Sequence, residues 1–288
     1  TYTHARITST SGFIGNFKTS IEAGDEAVLV EHGAVIVATG AKESRPEEHL
    51  YGKDDRILTH MELDAALTGN EEDLKKKETA VFIQCVGSRN EKRPYCSKVC
   101  CTHTVKSALK LKDLNPSMDV YVLYRDIRTY GQRELLYQEA RDRGVIFIRH
   151  DLENKPVVEK SGEDLLVRAQ DHVLGMDLEI STDLLVLATA IEAGDNTALA
   201  QMFKLTLNKE NFFMEAHAKL RPVDFATDGI FLAGMAHYPK PVEESIAQAK
   251  AAVSRAIVVL SKDKVVVDGV VSSINESLCR GCGACEQA

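Results

Sequence analysis

Apolar and polar positions change rhythm several times along this chain. Near the start they alternate. Residues 2–8 and 15–21 read as two strands of a hairpin around Ser11-Gly12, followed by a third strand over 27–31. Short unbroken apolar runs then take over at 34–38, 80–83, 119–124, 145–149, 183–190 and 229–232, several of them rich in β-branched residues. Such runs suit strands covered on both faces. Helical spacing appears after the second run, with Val105, Ala108, Leu109 and Leu111, again over 133–143, closed by Gly144, and over 242–260. Pro241 stands at the start of this last helix, and Glu243 and Glu244 complement its dipole. Between these, 155–180 holds short strands broken at Ser161-Gly162 and Gly175, a β-meander. Residues 41–78 are polar, with a short helix near 60–67 and a charged run over 71–78, and read as linker. Asp268-Gly269 between β-branched runs marks a hairpin. Strand, helix, strand, helix, strand is the order of an α/β fold with a parallel sheet and right-handed crossovers.

Composition narrows the picture. With 288 residues, 44% of them apolar, the chain can build two domains or one large one. A net charge of −8 argues against nonspecific nucleic-acid binding. No apolar run approaches the length of a membrane span, and no secretory signal is recognised. The cysteines are clustered rather than spread as a disulfide framework, which fits a cytoplasmic protein.

Four of the seven cysteines, Cys85, Cys96, Cys100 and Cys101, fall between the strand at 80–83 and the helix after it. In a doubly wound fold this turn is where G-x-G-x-x-G lets backbone N–H groups cradle a pyrophosphate. Here it carries Gly87 and four cysteines among Lys, Arg, Glu and Ser. Buried thiols acting as small hydrophobes would keep more apolar company. The four read as a tetrathiolate site whose sulfurs converge, for an iron–sulfur cluster or for zinc. The adjacent pair Cys100-Cys101 favours a cluster, since structural zinc sites usually space paired ligands by two to four residues. Arg89, Lys92 and Arg93 in the same turn are expected to offset the negative charge of the thiolates. Without the glycine cradle, specific NAD(P)H binding is not expected.

Two further signals concern a flavin. The run at 34–38 ends in Thr39-Gly40, and the run at 229–232 leads through Ala233-Gly234 into the last helix. Flavoproteins of the disulfide-reductase type hand over between domains at an A-T-G strand end. They close with a strand, Gly-Asp and a helix whose N-terminus faces the flavin. Lys240, at that N-terminus, is a candidate to favour a reduced anionic flavin, the alternative being a solvated surface lysine. The tail holds Cys279, Cys282 and Cys285, a C-x2-C-x2-C run that supplies the first three ligands of a bacterial ferredoxin cluster, with zinc as the rival. The fourth ligand is expected just past Ala288. The chain opens at Thr1 without methionine and reads as part of something longer at both ends.

Taken together, CVGSRNEKRPYCSKVCC, VYVLYRDIRTYG, GIFLAGMAHYPKPVEESIAQA and CRGCGAC resemble the A-type, iron–sulfur flavoprotein subunits of heterodisulfide reductase, and the likeness covers nearly the whole chain. The resemblance implies a thioredoxin-reductase-like flavoprotein core with two dinucleotide-binding domains, a parallel sheet plus β-meander, and the start of a ferredoxin-like module. Residues 1–41 would be the remainder of the FAD-binding domain, 42–190 an inserted NAD-domain-like, cluster-binding domain, 191–262 the return to the FAD-binding domain, and 263–288 the start of the 4Fe-4S module. FAD would lie near Thr39, Gly40, Gly234, Met235, Lys240 and Pro241, its glycine motif upstream of Thr1. Cys85, Cys96, Cys100 and Cys101 would ligate a cubane, and Cys279, Cys282 and Cys285 a second 4Fe-4S cluster.

The implied activity is electron transfer as an oxidoreductase, extending to flavin-based bifurcation. The implied partners are heterodisulfide reductase subunits B and C, a hydrogenase or formate dehydrogenase donor and ferredoxin, with a homodimer in the full-length complex. The rivals are an NAD(P)H-dependent CoA-disulfide reductase on the same fold, a related subunit of a quinone-interacting complex, and a zinc-bearing scaffold. One departure stands out. Met235 occupies the position where this superfamily usually has an Asp bonded to the ribityl chain.

Overall fold

The computed structural model describes residues 1–264 and 273–283. The hairpin expected at Asp268-Gly269, and Cys285, lie outside the described residues.

The chain begins with three antiparallel strands, β1 (Ala5–Phe13), β2 (Asn16–Ala23) and β3 (Glu26–His32). The first turn falls at Ile14-Gly15, not at the expected Ser11-Gly12. Gly12 pairs with Phe17 inside the ladder at φ +92°, and a Cβ there would meet the Asn16 carbonyl oxygen at 2.1 Å. Its glycine serves a close approach of two backbones rather than a turn. β4 (Val35–Val37) pairs in parallel with a strand from the far end of the chain. Ile36 on it is 41% exposed, so the expected burial on both faces is not met. β5 (Lys42–Glu43) is a short strand, and β6 (Ile57–Thr59) leads directly into α1 (His60–Gly69). At that junction Thr59 and Glu62 form a capping box. α2 (Glu71–Leu74) follows.

Next come β7 (Thr79–Val86), α3 (Cys100–Leu114), β8 (Asp119–Tyr124), α4 (Glu134–Asp142) and β9 (Ile146–Arg149). After them run the meander β10 (Val157–Ser161), β11 (Asp164–Asp171) and β12 (Met176–Ser181), and then β13 (Leu184–Thr189). β6, β13, β7, β8 and β9 form, in that spatial order, a five-stranded parallel sheet. The segment read as linker is therefore part of the sheet: Ile57 on β6 is buried at 3% exposure and pairs alongside β13. β13 is last of the five in sequence and lies between two earlier strands, with all six residues buried. One face of the sheet packs Phe82, Val120, Val122 and Val186 against Leu63 of α1 and Val105, Ala108 and Leu111 of α3. The other packs Val81, Ile83, Leu123 and Ile148 against Leu165 and Val167 of the meander.

β14 (Ile191–Glu192) pairs antiparallel with β5, so the chain leaves the five-stranded unit beside the point where it entered. α5 (Thr197–Phe203), β15 (Ile230–Leu232) and α6 (Val242–Leu260) complete the fold. β15 is the partner of β4, and α6 covers it with Ala252 and Ala256. Among the described residues no helix is long and apolar enough to cross a membrane.

Candidate cofactor site

The loop from β7 to α3 is built around backbone that few residues tolerate. Leu187 of β13 pairs with Ile83 and Thr189 with Val86, so β7 carries one extra residue, a bulge at Gln84-Cys85. Cys85 sits there at φ +62°, Arg89 at φ +56° and Lys98 at φ +60°, all in the left-handed region that costs a non-glycine residue about 1–2 kcal/mol. Left-handed residues held in a loop by their surroundings point to a functional site. Three side chains fasten the loop to β14: Tyr95 donates its hydroxyl to the Ile191 carbonyl at 2.9 Å, Ser97 Oγ accepts the Ile191 N–H at 3.0 Å, and Arg93 pairs with Glu192.

The four thiols are neighbours at this loop, near enough for their charges to act on one another. Cys100 and Cys101, in the first turn of α3, are buried and hydrogen-bonded to each other, and Cys85 lies in the field of both Cys101 and Cys96. Their acidities diverge. The bond with Cys100, helped by Arg128 and Arg89, brings the Cys101 thiol down to about 7. Cys100 is raised by the same bond and by burial, and burial raises Cys85. The sulfurs also receive N–H groups: Arg89 Nη1 lies 3.9 Å from Cys85 Sγ, and the Lys98 amide 3.3 Å from Cys96 Sγ. Four soft donors, none in a disulfide, with N–H groups aimed at sulfur, fit a thiolate-bound group. Among the described residues, no three His, Cys, Asp or Glu side chains are close enough to hold a single metal ion.

The expected charge compensation is narrower than the sequence suggests. Of Arg89, Lys92 and Arg93, Arg89 alone has an N–H within reach of a sulfur among the described residues, and Asp126 holds it there at 2.6 Å. Arg93 is spent on Glu192 and the Gly87 carbonyl. Arg128, outside the loop, supplies a second charge to Cys101. Cys279 and Cys282 are exposed, and the Gly281 amide lies 3.5 Å from Cys279 Sγ.

The turn from β15 to α6 is short. Gly234, at φ +71°, opens a single 3-10 turn through Ala236, and Pro241 caps α6. Lys240 is no surface lysine: at 4% exposure its ammonium donates to Gln248, lies 3.3 Å from His237 Nδ1 and sits 4.1 Å above the Tyr238 ring. Burial lowers its pKa to about 8. Glu215 orients His237 at 2.7 Å. Thr39 donates to Asn196 Oδ1 at 3.3 Å, and Gly40 adopts φ +75°. The Ala233 amide donates to the Val37 carbonyl at 3.0 Å, so the two strand ends carrying these glycines lie side by side.

Both turns open onto one largely apolar cavity of about 620 Å3. Val99 and Cys100 line one wall, Met235, Lys240 and Pro241 another, and His60 and Met61 the side toward α1. Thr39, Gly40 and Gly234 stand behind this lining rather than in it. Sequence reasoning missed three further groups. His60, held neutral by burial, stacks on His103 at 4.3 Å between ring centres and lies 2.8 Å from Thr104 Oγ1. Thr189, also in the wall, is 5% exposed and its Oγ1 has no partner, an orphaned polar atom facing a cavity of cofactor size. The Ala-Thr-Ala ending of β13 was the available signal for Thr189; nothing local marks the histidines. Lys98 reaches Glu244 at 2.7 Å and Tyr130 donates to the same carboxylate at 2.9 Å, tying the cysteine loop to the first turn of α6.

The chain is similar to known proteins in sequence and in fold. A CoB–CoM heterodisulfide reductase iron-sulfur protein of the A type from Methanopyrus kandleri is 38% identical over 280 residues, covering 90% of this chain. A protein of Archaeoglobus profundus, described as like the same heterodisulfide reductase component, is 40% identical over 214 residues, covering 73% of this chain and 30% of its own. The chain belongs to the family of A-type heterodisulfide reductase subunits. It spans 42% of the length of the Methanopyrus relative and 41% of the corresponding component of the H2/formate:CoB-CoM heterodisulfide,ferredoxin reductase of Methanococcus maripaludis, which is 38% identical. No family model matches. Among solved structures, thioredoxin reductase of T. acidophilum superposes with a TM-score of 0.56 at 16% identity, over 89% of this chain and 72% of its own. The HOCl-induced flavoprotein disulfide reductase of Escherichia coli superposes with 0.52 at 11%, over 84% of this chain and 48% of its own. The fold is thioredoxin-reductase-like, as the sequence implied.

Proposed function

We propose that this chain forms the flavin- and cluster-carrying part of an electron-transferring oxidoreductase subunit of heterodisulfide reductase type. The observation that carries the reading is the shared cavity, with Cys100 of the four-thiol loop on one wall and Met235, Lys240 and Pro241 on another. Cys85, Cys96, Cys100 and Cys101 would hold a 4Fe-4S cluster, and the cavity the ring of an FAD. Cys279, Cys282 and Cys285 would serve a second cluster. Such groups supply one- and two-electron exchange, and the protein supplies position and electrostatics.

The chain's own contribution is definable. Lys240 presents a buried positive charge beside the start of α6, and both favour negative charge in the cavity. Its hydrogen bonds to Gln248 and His237 fix where that charge sits. His60, neutral and stacked, adds bulk without adding charge. The clasp of Lys98 and Tyr130 on Glu244 holds the two walls at a fixed separation, on which electron transfer depends. Residues 42–190 then act as the cluster-bearing insert between the two parts of a flavin domain, 1–41 and 191–262.

Electrons would enter from a hydrogenase or formate dehydrogenase type donor and leave toward ferredoxin and subunits B and C, by bifurcation at the flavin. The names of two relatives, with hydrogen or formate as donor and ferredoxin among the acceptors, support this direction of flow, whereas a third names ferredoxin as the donor. The test is anaerobic purification of the full-length protein, with iron, acid-labile sulfide, zinc and flavin quantified together. Iron with matching sulfide and one FAD per chain is expected. Zinc without sulfide would overturn the cluster, and rapid flavin bleaching by NADH or NADPH alone would favour a pyridine-nucleotide disulfide reductase.

A further inference from the structure

A second cavity lies at the carboxyl ends of β7, β8 and β9, against Ile83 and the loop that enters the meander, away from the start of α3. Its enclosed space is about 30 Å3. That is room for about two water molecules, and so for one tetrahedral oxyanion. His150, after β9, is 4% exposed. Its Nδ1 lies 3.0 Å from the Asp151 carbonyl, so that nitrogen carries a proton, and its Nε2 has no partner. Around it stand His49, Lys155 and Arg125, near enough for their charges to act on one another. Arg125 is anchored through Nη1, which donates to the Arg89 carbonyl at 2.8 Å. Glu48 is the carboxylate in the wall, and it accepts the Gly87 amide at 3.2 Å.

Four nitrogen-bearing side chains thus converge on a small polar space against one carboxylate. Burial holds His49 and His150 toward the neutral form, so Lys155 and Arg125 carry the positive charge of this space against the one carboxylate, and the orphaned Nε2 of His150 is a buried lone pair in want of a donor. The left-handed backbone of His49, φ +59°, shows that this wall is also held away from relaxed geometry.

We propose that this cavity is a binding site for one small protonated oxyanion of the hydrogen-phosphate class, received by Lys155 and Arg125 and donating its hydroxyl to Nε2 of His150. The site uses side chains just past β8 and β9 and on the loop into β10, not backbone amides at a helix start, and so does not need the glycine cradle this chain lacks. Cys85 also lines this cavity, so the site shares a wall with the four-thiol loop, while its receiving groups are not among those thiols. A neighbouring groove of about 620 Å3 shares Glu48, Val86 and Gly87 with it and brings in Arg45 and Lys92. The oxyanion can therefore be a free ion or the head of a phosphate ester whose remainder lies in the groove.

Titration calorimetry of the full-length protein with inorganic phosphate, then sulfate, at low ionic strength tests this. Saturable binding of one phosphate per chain is expected, tighter than that of sulfate, which has no hydroxyl to donate, and weakened at least tenfold in Lys155→Ala and in His150→Phe. Lys155 is exposed, so its variant folds regardless of the fate of His150→Phe. Absence of saturable binding to the wild type, or binding unchanged in both variants, overturns the proposal. Ribose 5-phosphate separates the two sources. Tighter binding than inorganic phosphate, lost in Lys92→Ala, assigns an ester, and equal binding assigns the free ion.

Discussion

The turn from β7 to α3 and the turn from β15 to α6 make the same connection, strand to helix, and open onto the same cavity. The first is long, holds three non-glycine residues in left-handed backbone and carries four thiols. The second is short, has its left-handed residue at a glycine, and presents a buried lysine. The contrast follows from what each would hold. A group bound through covalent thiolate bonds can repay backbone strain at every ligand. A flat ring held by contact and charge needs a stiff, relaxed wall and one well-placed cation. The same supersecondary unit serves both because its helix start sits at the carboxyl edge of a sheet either way.

The largest effect is expected from breaking the first turn alone. Cys100→Ser or Cys85→Ala in the full-length protein should abolish the iron at this site, about four atoms for a cubane, while flavin content stays near the wild-type level. Iron analysis and absorption spectra check it, and unchanged iron in both variants would place the cluster elsewhere.

Removing the charge from the second turn should give a smaller, pH-dependent change. The folded pKa of Lys240 is about 8 against an ordinary 10.5. Between those values the unfolded chain binds more protons than the folded one, so this group makes stability rise with pH there. Below pH 8 both states are protonated, and the whole cost of burying the charge is present. Lys240→Met should therefore flatten the stability profile between pH 8 and 10.5 relative to wild type, read from denaturant midpoints. A difference between the two proteins that does not change over that range would contradict the buried charge.

The smallest effect belongs to the clasp between the turns. A double-mutant cycle on Lys98→Met and Glu244→Gln should return a coupling of about 0.5–1 kcal/mol, as for a half-exposed ion pair, measured by chemical denaturation. A coupling of zero would mean that the two turns are held together by packing alone.

Where the sequence was legible, local pattern and tertiary role agreed. β8 and α6 run over the residues their apolar rhythm marked, and the meander breaks at the predicted glycines. The cysteine loop was legible because four soft ligands in polar company have few other uses. β6 was not, since three residues in a polar stretch carry no period, and its strand exists only because β13 offers it an edge. The hairpin turn was misplaced because Gly12 looked like turn chemistry while serving a backbone contact. Lys240 could be placed at a helix start from sequence, but its burial depends on His237, Tyr238 and Gln248 closing over it. The oxyanion cavity was invisible: His49, Arg125 and the pair His150 and Lys155 come from three separate loops and meet only at the sheet edge.

The position of β13 fixes the order of events during synthesis. β7, β8 and β9 emerge from the ribosome early and can pair at once, yet one edge of β7 stays open until β13 arrives after the whole meander. Closing a sheet through so distant a strand is slow, because the loop must be ordered before the pairing rewards it. The residues that fasten the cysteine loop, Ile191 and Glu192, follow directly behind β13. Until then the thiols hang on an unfastened loop, accessible to oxidants and to whatever delivers iron. Once β13 slots in and β14 zips to β5, Cys101 is buried and Cys100 is reached only through the cavity it lines. A nascent chain halted ahead of Leu184 should therefore react faster with a thiol-alkylating reagent at both positions than the completed chain.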